Sequence, residues 1–101
     1  MPRYWLSFDL GLKGNYDGLY GWLDNLKAKE CGDSVATFTS DKTVERLQKE
    51  LRRILGTSAR VYLVYTHGKP SRAAGKFILG GRKAAPWSGF GVVPSEESDE
   101  A

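Results

Sequence analysis

The chain has 101 residues, of which 41% are hydrophobic and three are tryptophan, so it can build one folded domain with its own core. One cysteine and one histidine exclude an internal disulfide framework and argue against a zinc site or a Ser-His-Asp triad within the chain. Without a signal-peptide pattern or a stretch as apolar as a membrane span, we expect a soluble cytoplasmic protein that has no membrane partner.

Positive charge is concentrated in the body of the chain. The formal net charge is +3, but four of the twelve acidic residues lie among the last six positions. Residues 1–95 therefore hold all fifteen basic side chains and only eight acidic ones. We predict that residues 94–101 form a disordered acidic tail. The basic body indicates either a nucleic-acid partner or simply a soluble, lysine-rich surface.

The first predicted element is an apolar strand over residues 3–10, and a loop with two glycines follows it. Alternation along this strand places Trp5, Ser7 and Asp9 on the same face. Asp9 thus stands at the carboxyl end of a strand, where ligands and metals bind in many sheet proteins. Two roles are open for its carboxylate. It is a catalytic metal ligand, holding Mg²⁺ or Mn²⁺ together with a second Asp9 across a two-fold axis, or it caps the following turn.

Two amphipathic helices are predicted downstream. The first covers residues 16–30, with Asn15 as its N-cap. The second begins with Asp41 as its N-cap and ends at Gly56. Each helix has one apolar stripe, so both should pack on the same face of a sheet. The result is an α+β arrangement in which the opposite face of the sheet is bare.

Three more strands complete the predicted sheet, at residues 34–39, 60–66 and, more weakly, 76–79. The bare face contains Trp5 and receives either the odd-numbered or the even-numbered residues of the strand over 60–66. Both sets are apolar. Soluble monomers rarely leave such a face open, so we predict a homodimer through it, with Trp5 in the interface.

Residues 68–93 are predicted to be a basic, glycine-rich extension of a single domain that spans residues 1–93. Trp87 and Phe90 are too apolar for a free tail, so we predict that they anchor the extension on the domain or in the dimer interface. Six cations are the predicted nucleic-acid-binding residues: Lys13, Lys69, Arg72, Lys76, Arg82 and Lys83. The alternative is that Lys13 belongs to a plain surface loop and the others keep a glycine-rich segment soluble.

The order of these elements resembles that of a known group of small proteins. The first strand ends in Phe8-Asp9-Leu10, the first helix carries an apolar stripe, the second helix opens at Ser40-Asp41 and the third strand is apolar. In this pattern, residues 3–66 resemble the CRISPR-associated adaptation proteins of the Cas-two type, the virulence-associated protein D relatives and the small SinR-like proteins of bacteria.

The resemblance implies a ferredoxin-like sandwich of the βαββαβ type, with two helices on one face of an antiparallel sheet and a dimer through the other face. It also implies nucleic-acid binding, since some members are metal-dependent endonucleases that act on RNA or DNA and others are non-catalytic scaffolds on duplex DNA. Asp9 is the one residue that carries over, as the strand-end aspartate that these nucleases place at the dimer axis. The alternative expectation is a non-catalytic homodimeric interaction, scaffold or antitoxin-like module.

Overall fold

A computed structural model describes residues 1–91 of the chain. Its elements, in chain order, are β1 (Arg3–Asp9), α1 (Tyr16–Asn25), β2 (Lys29–Glu30), β3 (Val35–Thr39), α2 (Val44–Leu55), β4 (Arg60–His67) and β5 (Arg72–Leu79). The predicted α+β class is confirmed. In residues 1–91, neither helix is long and apolar enough to cross a membrane. The tail predicted over residues 94–101 lies outside the described part of the chain.

β1 is the central strand of the sheet, whose order is β2-β3-β1-β4-β5 and whose pairs are all antiparallel. An apolar strand suits this position because other strands flank it on both sides. Its Leu6 lies opposite Ala36 of β3 and Leu63 of β4. The arrangement is compatible with a ferredoxin-like α+β fold, to which β5 adds an outer strand beside β4.

Both helices pack on the same face of the sheet, as their apolar stripes predict. The shared core contains the strand residues Leu6, Phe38 and Leu63 and the helix residues Leu19 and Leu51, all of them fully or almost fully buried. Burial of one such side chain contributes roughly 1.5–3 kcal/mol, whereas an exposed ion pair contributes about 1 kcal/mol or less. The layer between sheet and helices therefore dominates the stability of the fold.

The opposite face of the sheet has no helix over it in residues 1–91. β1 places Trp5 on this face, opposite Thr37 of β3 and Val64 of β4. Val35 and Tyr62 lie on the same face, and all five side chains are half-buried. We call this surface the open face. The structure thus assigns the even-numbered residues of β4 to it, a choice that periodicity leaves undecided.

The first helix is shorter than predicted. Asn15 is confirmed as the N-cap of α1, since its side chain accepts a hydrogen bond from the Gly18 N–H. The helix ends at Asn25 because Lys27 adopts a positive φ of 57° and the Ala28 N–H turns back to a carbonyl of the helix. The chain then enters the two-residue strand β2, which periodicity does not predict.

The N-cap predicted at Asp41 is wrong. Thr43 caps α2 instead, and its Oγ1 accepts a hydrogen bond from the Arg46 N–H at 3.1 Å. Ser40 Oγ accepts the Lys42 N–H at 3.0 Å and so closes a turn before the helix. Aspartate and threonine are both good N-cap residues, so local propensity alone does not choose between them.

Strand β5 begins at Arg72, earlier than the predicted start at Lys76. Residues 73–75 are alanine, alanine and glycine, which are weak strand formers, but they pair with β4 in a hairpin. Gly75 is required there because the ring of Tyr62 lies over it. A Cβ at this position would stand only 2.6 Å from the Tyr62 hydroxyl oxygen.

A cluster around Glu50 joins the two helices. Its Oε1 accepts hydrogen bonds from Trp22 Nε1 at 2.9 Å and from Lys42 Nζ at 2.8 Å. Its Oε2 accepts a hydrogen bond from Arg46 Nε at 2.9 Å. Burial by itself raises the pKa of this carboxyl, but the three hydrogen bonds and the charge of Lys42 lower the pKa from 4.5 to about 2. The cluster therefore stabilises the fold while Glu50 is ionised.

Acidification should weaken the fold partly through Glu50. Because its pKa is lower in the folded than in the unfolded chain, the stabilisation is complete above pH 4.5 and is lost as the pH falls from there to about 2. We expect Glu50→Gln to lower the free energy of unfolding at neutral pH by about 1–3 kcal/mol and to flatten its decline in acid. Urea unfolding at several pH values measures both effects. The exposed Glu45→Gln on the same helix is the control, and an equal decline in both variants would contradict the prediction.

Candidate functional site

The carboxyl end of β1 meets the amino end of β4, and their register brings Asp9 opposite Arg60 on the open face. Arg60 Nη2 lies 3.7 Å from Asp9 Oδ2, and Arg60 Nη1 donates a hydrogen bond to the Gly81 carbonyl at 3.2 Å. Asp9 Oδ1 accepts the Gly11 N–H at 3.2 Å. Asp9 thus caps the turn after β1 and also helps to hold the guanidinium group in place.

A second cation stands near the same carboxylate. Lys83 Nζ lies 3.9 Å from Asp9 Oδ2, at the limit of an ion pair. Both side chains are more than half exposed, so water screens the pair and its contribution to stability is less than about 1 kcal/mol. Two cations therefore share one carboxylate, and an excess of positive charge remains.

An aromatic ring from β5 contacts two guanidinium groups. The Cζ atoms of Arg60 and Arg82 each lie 5.7 Å from the centroid of the Phe77 ring, which is within the range of a cation–π interaction. The Tyr62 ring meets the same ring edge to face, with 4.9 Å between centroids. The aromatic pair therefore helps to position the two arginine side chains at the end of the open face.

Arg60, Phe77 and Arg82 line a groove of about 550 Å³ together with the residues that follow Arg82 in the chain. Gly80 makes the turn into it, with a φ of 68°, and a Cβ there would stand 2.9 Å from the Ala59 carbonyl oxygen. We call this feature the cationic groove. Its principal residues are Arg60, Phe77, Arg82, Lys83 and Trp87.

The segment that follows Lys83 forms a double turn. The Ser88 N–H donates to the Ala85 carbonyl, and the Phe90 N–H donates to the Trp87 carbonyl, both at 3.0 Å. Trp87 is 73% exposed and Phe90 is 80% exposed, so neither is anchored in the core of its own chain. Their place in a dimer interface stays a prediction.

The six predicted nucleic-acid-binding cations do not form one surface. Arg82 and Lys83 line the cationic groove. Lys69 and Arg72 lie at the other end of the β4–β5 hairpin, roughly 20 Å away along the strands. The structure thus brings two of the six together and adds Arg60 to them.

The remaining predicted residues lie elsewhere. Lys76 is opposite Leu63 and shares its side of the sheet, the side that carries the helices. Lys13 is exposed in the loop between β1 and α1. Trp5 lies on the open face, away from the Asp9 end of β1.

Asp9 does not fit a metal site within one chain. Among residues 1–91, no three His, Cys, Asp or Glu side chains come together as a metal-binding group. The cationic neighbours of the Asp9 carboxylate are Arg60 and Lys83, whose positive charges oppose a divalent cation. A second Asp9 across a two-fold axis would bring the same two cations with it, so pairing would not remove this opposition.

The sequence alone does not single out Arg60 or Phe77. Arg60 looks like the first residue of an ordinary strand, and Phe77 looks like an apolar strand residue. The one available signal is the pairing of a lone strand-end Asp9 with an arginine that opens another strand. That signal becomes visible only when β1 and β4 are known to be antiparallel neighbours.

Comparison with known proteins identifies no relative. The chain matches no protein-family model, no curated protein and no solved structure. The resemblance to Cas-two-like and SinR-like proteins therefore stays a prediction.

Proposed function

We propose that the protein binds nucleic acid, with the phosphate backbone held in the cationic groove. Arg60, Arg82 and Lys83 converge there, and this convergence is the observation that supports the proposal most. A guanidinium group can bind two phosphate oxygens through parallel N–H donors, and an ammonium group binds as a point charge. The fifteen basic side chains of the chain add a wider field of the same sign.

Asp9 has a positioning role at this groove. Its carboxylate caps the turn at Gly11 and lies beside the guanidinium group of Arg60. The same negative charge weakens the attraction of the groove for phosphate. Asp9 therefore favours the geometry of the site while it lowers the affinity for an anion.

We also propose a homodimer through the open face, in which Trp5 is central. A two-fold interface places a patch against a copy of itself, so like charges at its centre would repel. The centre of the open face is neutral and half-buried: Trp5, Val35, Thr37, Tyr62 and Val64. The cationic groove lies at one end of this face, so it would stand at the rim of the dimer.

The geometry favours binding without catalysis. A phosphodiesterase that uses Mg²⁺ or Mn²⁺ needs carboxylate oxygens that can face the metal. The Asp9 oxygens instead accept the Gly11 N–H and face Arg60 and Lys83. Of the two functions that the resemblance implies, we therefore propose the non-catalytic one.

Replacing Asp9 with asparagine separates binding from metal-dependent cleavage. The amide keeps an oxygen that can accept the Gly11 N–H, but it removes the negative charge beside Arg60 and Lys83. We expect Asp9→Asn to bind a labelled oligonucleotide about 1.4- to fivefold more tightly at low salt, since exposed charge pairs contribute about 0.2–1 kcal/mol. Fluorescence anisotropy measures the affinity. Asp17→Asn, which removes an exposed carboxylate in the first turn of α1, is the matched control.

A cleavage assay on the same samples tests the rival function. Wild-type protein should leave RNA and DNA intact in the presence of Mg²⁺ or Mn²⁺. Cleavage that Asp9→Asn abolishes, at an unchanged melting temperature, would establish a nuclease and overturn the proposal. Absence of binding to any RNA or DNA at low salt would overturn it as well.

A further inference from the structure

Two large aromatic side chains, Trp87 and Phe90, are exposed next to the cationic groove. Burying an aromatic side chain of this size is favourable by roughly 2–3 kcal/mol, so a fixed turn that exposes two of them is a candidate binding surface. The two differ in one respect. Trp87 lines the groove, whereas Phe90 is not part of its lining.

The turn that carries Trp87 has a defined conformation. Two backbone hydrogen bonds close it, and Gly89 adopts a φ of 86°, which glycine does without strain. Pro86 precedes Trp87 and restricts the backbone further. The indole ring is therefore presented to solvent on a restrained support next to three cations.

An aromatic face beside cations fits single-stranded nucleic acid better than a duplex. In a single strand each base has an accessible flat face that can stack on an aromatic side chain, and its phosphate follows within the same nucleotide. In a duplex the bases are already stacked on one another, so only the backbone is available to such a site. A stacking ring at this place would therefore add little to duplex binding but would add directly to single-strand binding.

We infer that the cationic groove takes single-stranded nucleic acid, with one base stacked on Trp87 and the adjacent phosphates on Arg82 and Lys83. This inference rests on the proposed nucleic-acid binding and narrows it to a substrate class. Arg60 lines the same groove and is held by the Gly81 carbonyl, Asp9 and the Phe77 ring.

The test compares an oligothymidylate of about 12 nucleotides with a duplex of the same length, at about 50 mM salt, by fluorescence anisotropy. Trp87→Ala should weaken binding of the single strand by roughly 5- to 150-fold and binding of the duplex by less than about twofold. Trp87→Phe keeps a stacking ring and should retain most of the affinity. Phe90→Ala removes an equally exposed aromatic side chain from the same turn but outside the groove, and it should change neither affinity by more than about twofold.

Each other outcome identifies which proposal fails. Equal effects of Trp87→Ala on single strand and duplex, or no effect on either, would overturn the single-strand inference while nucleic-acid binding stands. Absence of binding to both probes by wild-type protein would overturn the proposed function itself. A change of oligomeric state in Trp87→Ala, without a change in single-strand preference, would assign Trp87 to a subunit interface and also overturn the inference.

Discussion

Replacing Trp5 with lysine is expected to convert the proposed dimer into a monomer. Trp5 lies at the centre of the open face, opposite Thr37 and Val64, and is half-buried in the single chain. In a two-fold interface its remaining surface would be covered by the partner, and a lysine there would bury an unpaired charge at a cost of several kcal/mol, roughly a hundredfold or more in the dissociation constant. Light scattering coupled to size-exclusion chromatography, over a range of micromolar concentrations, measures the change.

Tyr20→Lys is the matched control for this substitution. Tyr20 is another large aromatic residue and is exposed, but it lies on α1, on the other side of the sheet. The control should remain dimeric, and circular dichroism should show that both variants are folded. If the wild-type protein is monomeric at every concentration, the proposed dimer is wrong. If the Trp5→Lys protein stays dimeric, the interface lies elsewhere than on the open face.

Replacing Arg82 and Lys83 together with alanine is expected to weaken nucleic-acid binding and to reduce its dependence on salt. Each phosphate contact releases counterions, so the slope of log affinity against log salt changes by about 0.7 for a single strand and about 0.9 for a duplex. Loss of two contacts should therefore flatten the slope by about 1 to 2 units and weaken binding at about 0.1 M salt by roughly 10- to 100-fold. Anisotropy titrations at four or more salt concentrations give both quantities.

The matched control removes the same number of charges from the far end of the hairpin. Lys69→Ala with Arg72→Ala leaves the cationic groove intact while it lowers the net charge equally. The control should leave the slope nearly unchanged. If both double variants flatten the slope by the same amount, net charge rather than the groove governs binding, and the assignment of the site is wrong.

Elements with strong local signals can be predicted from the sequence alone. Alternation in β1 correctly separates the buried Tyr4, Leu6 and Phe8 from the open face, and Asn15 is the N-cap of α1 as predicted. Both helices are amphipathic, and the second ends at Gly56, which has a φ of 73°. These features depend on contacts within a few residues, so their patterns are visible in a short window of sequence.

Elements with weak local signals form strands only because they pair with neighbouring strands in the sheet. The two-residue strand β2 and the Ala-Ala-Gly start of β5 carry little strand propensity, and both exist because a longer strand pairs with them. The choice between Asp41 and Thr43 as the cap of α2 is likewise not made by propensity, since both residue types cap helices well. Competing local preferences of similar strength are decided by how the chain packs.

The candidate site was decided by tertiary structure alone. Asp9 and Arg60 face each other because β1 and β4 are antiparallel neighbours in one register, and a slip of one residue would turn Arg60 to the other side of the sheet. Phe77 and Arg82 join them only because the β4–β5 hairpin and the turn at Gly80 bring the chain back to the same end of the open face. The register of β1 against β4 and the course of the chain after β5 depend on contacts between distant parts of the chain. No local pattern of residues encodes them.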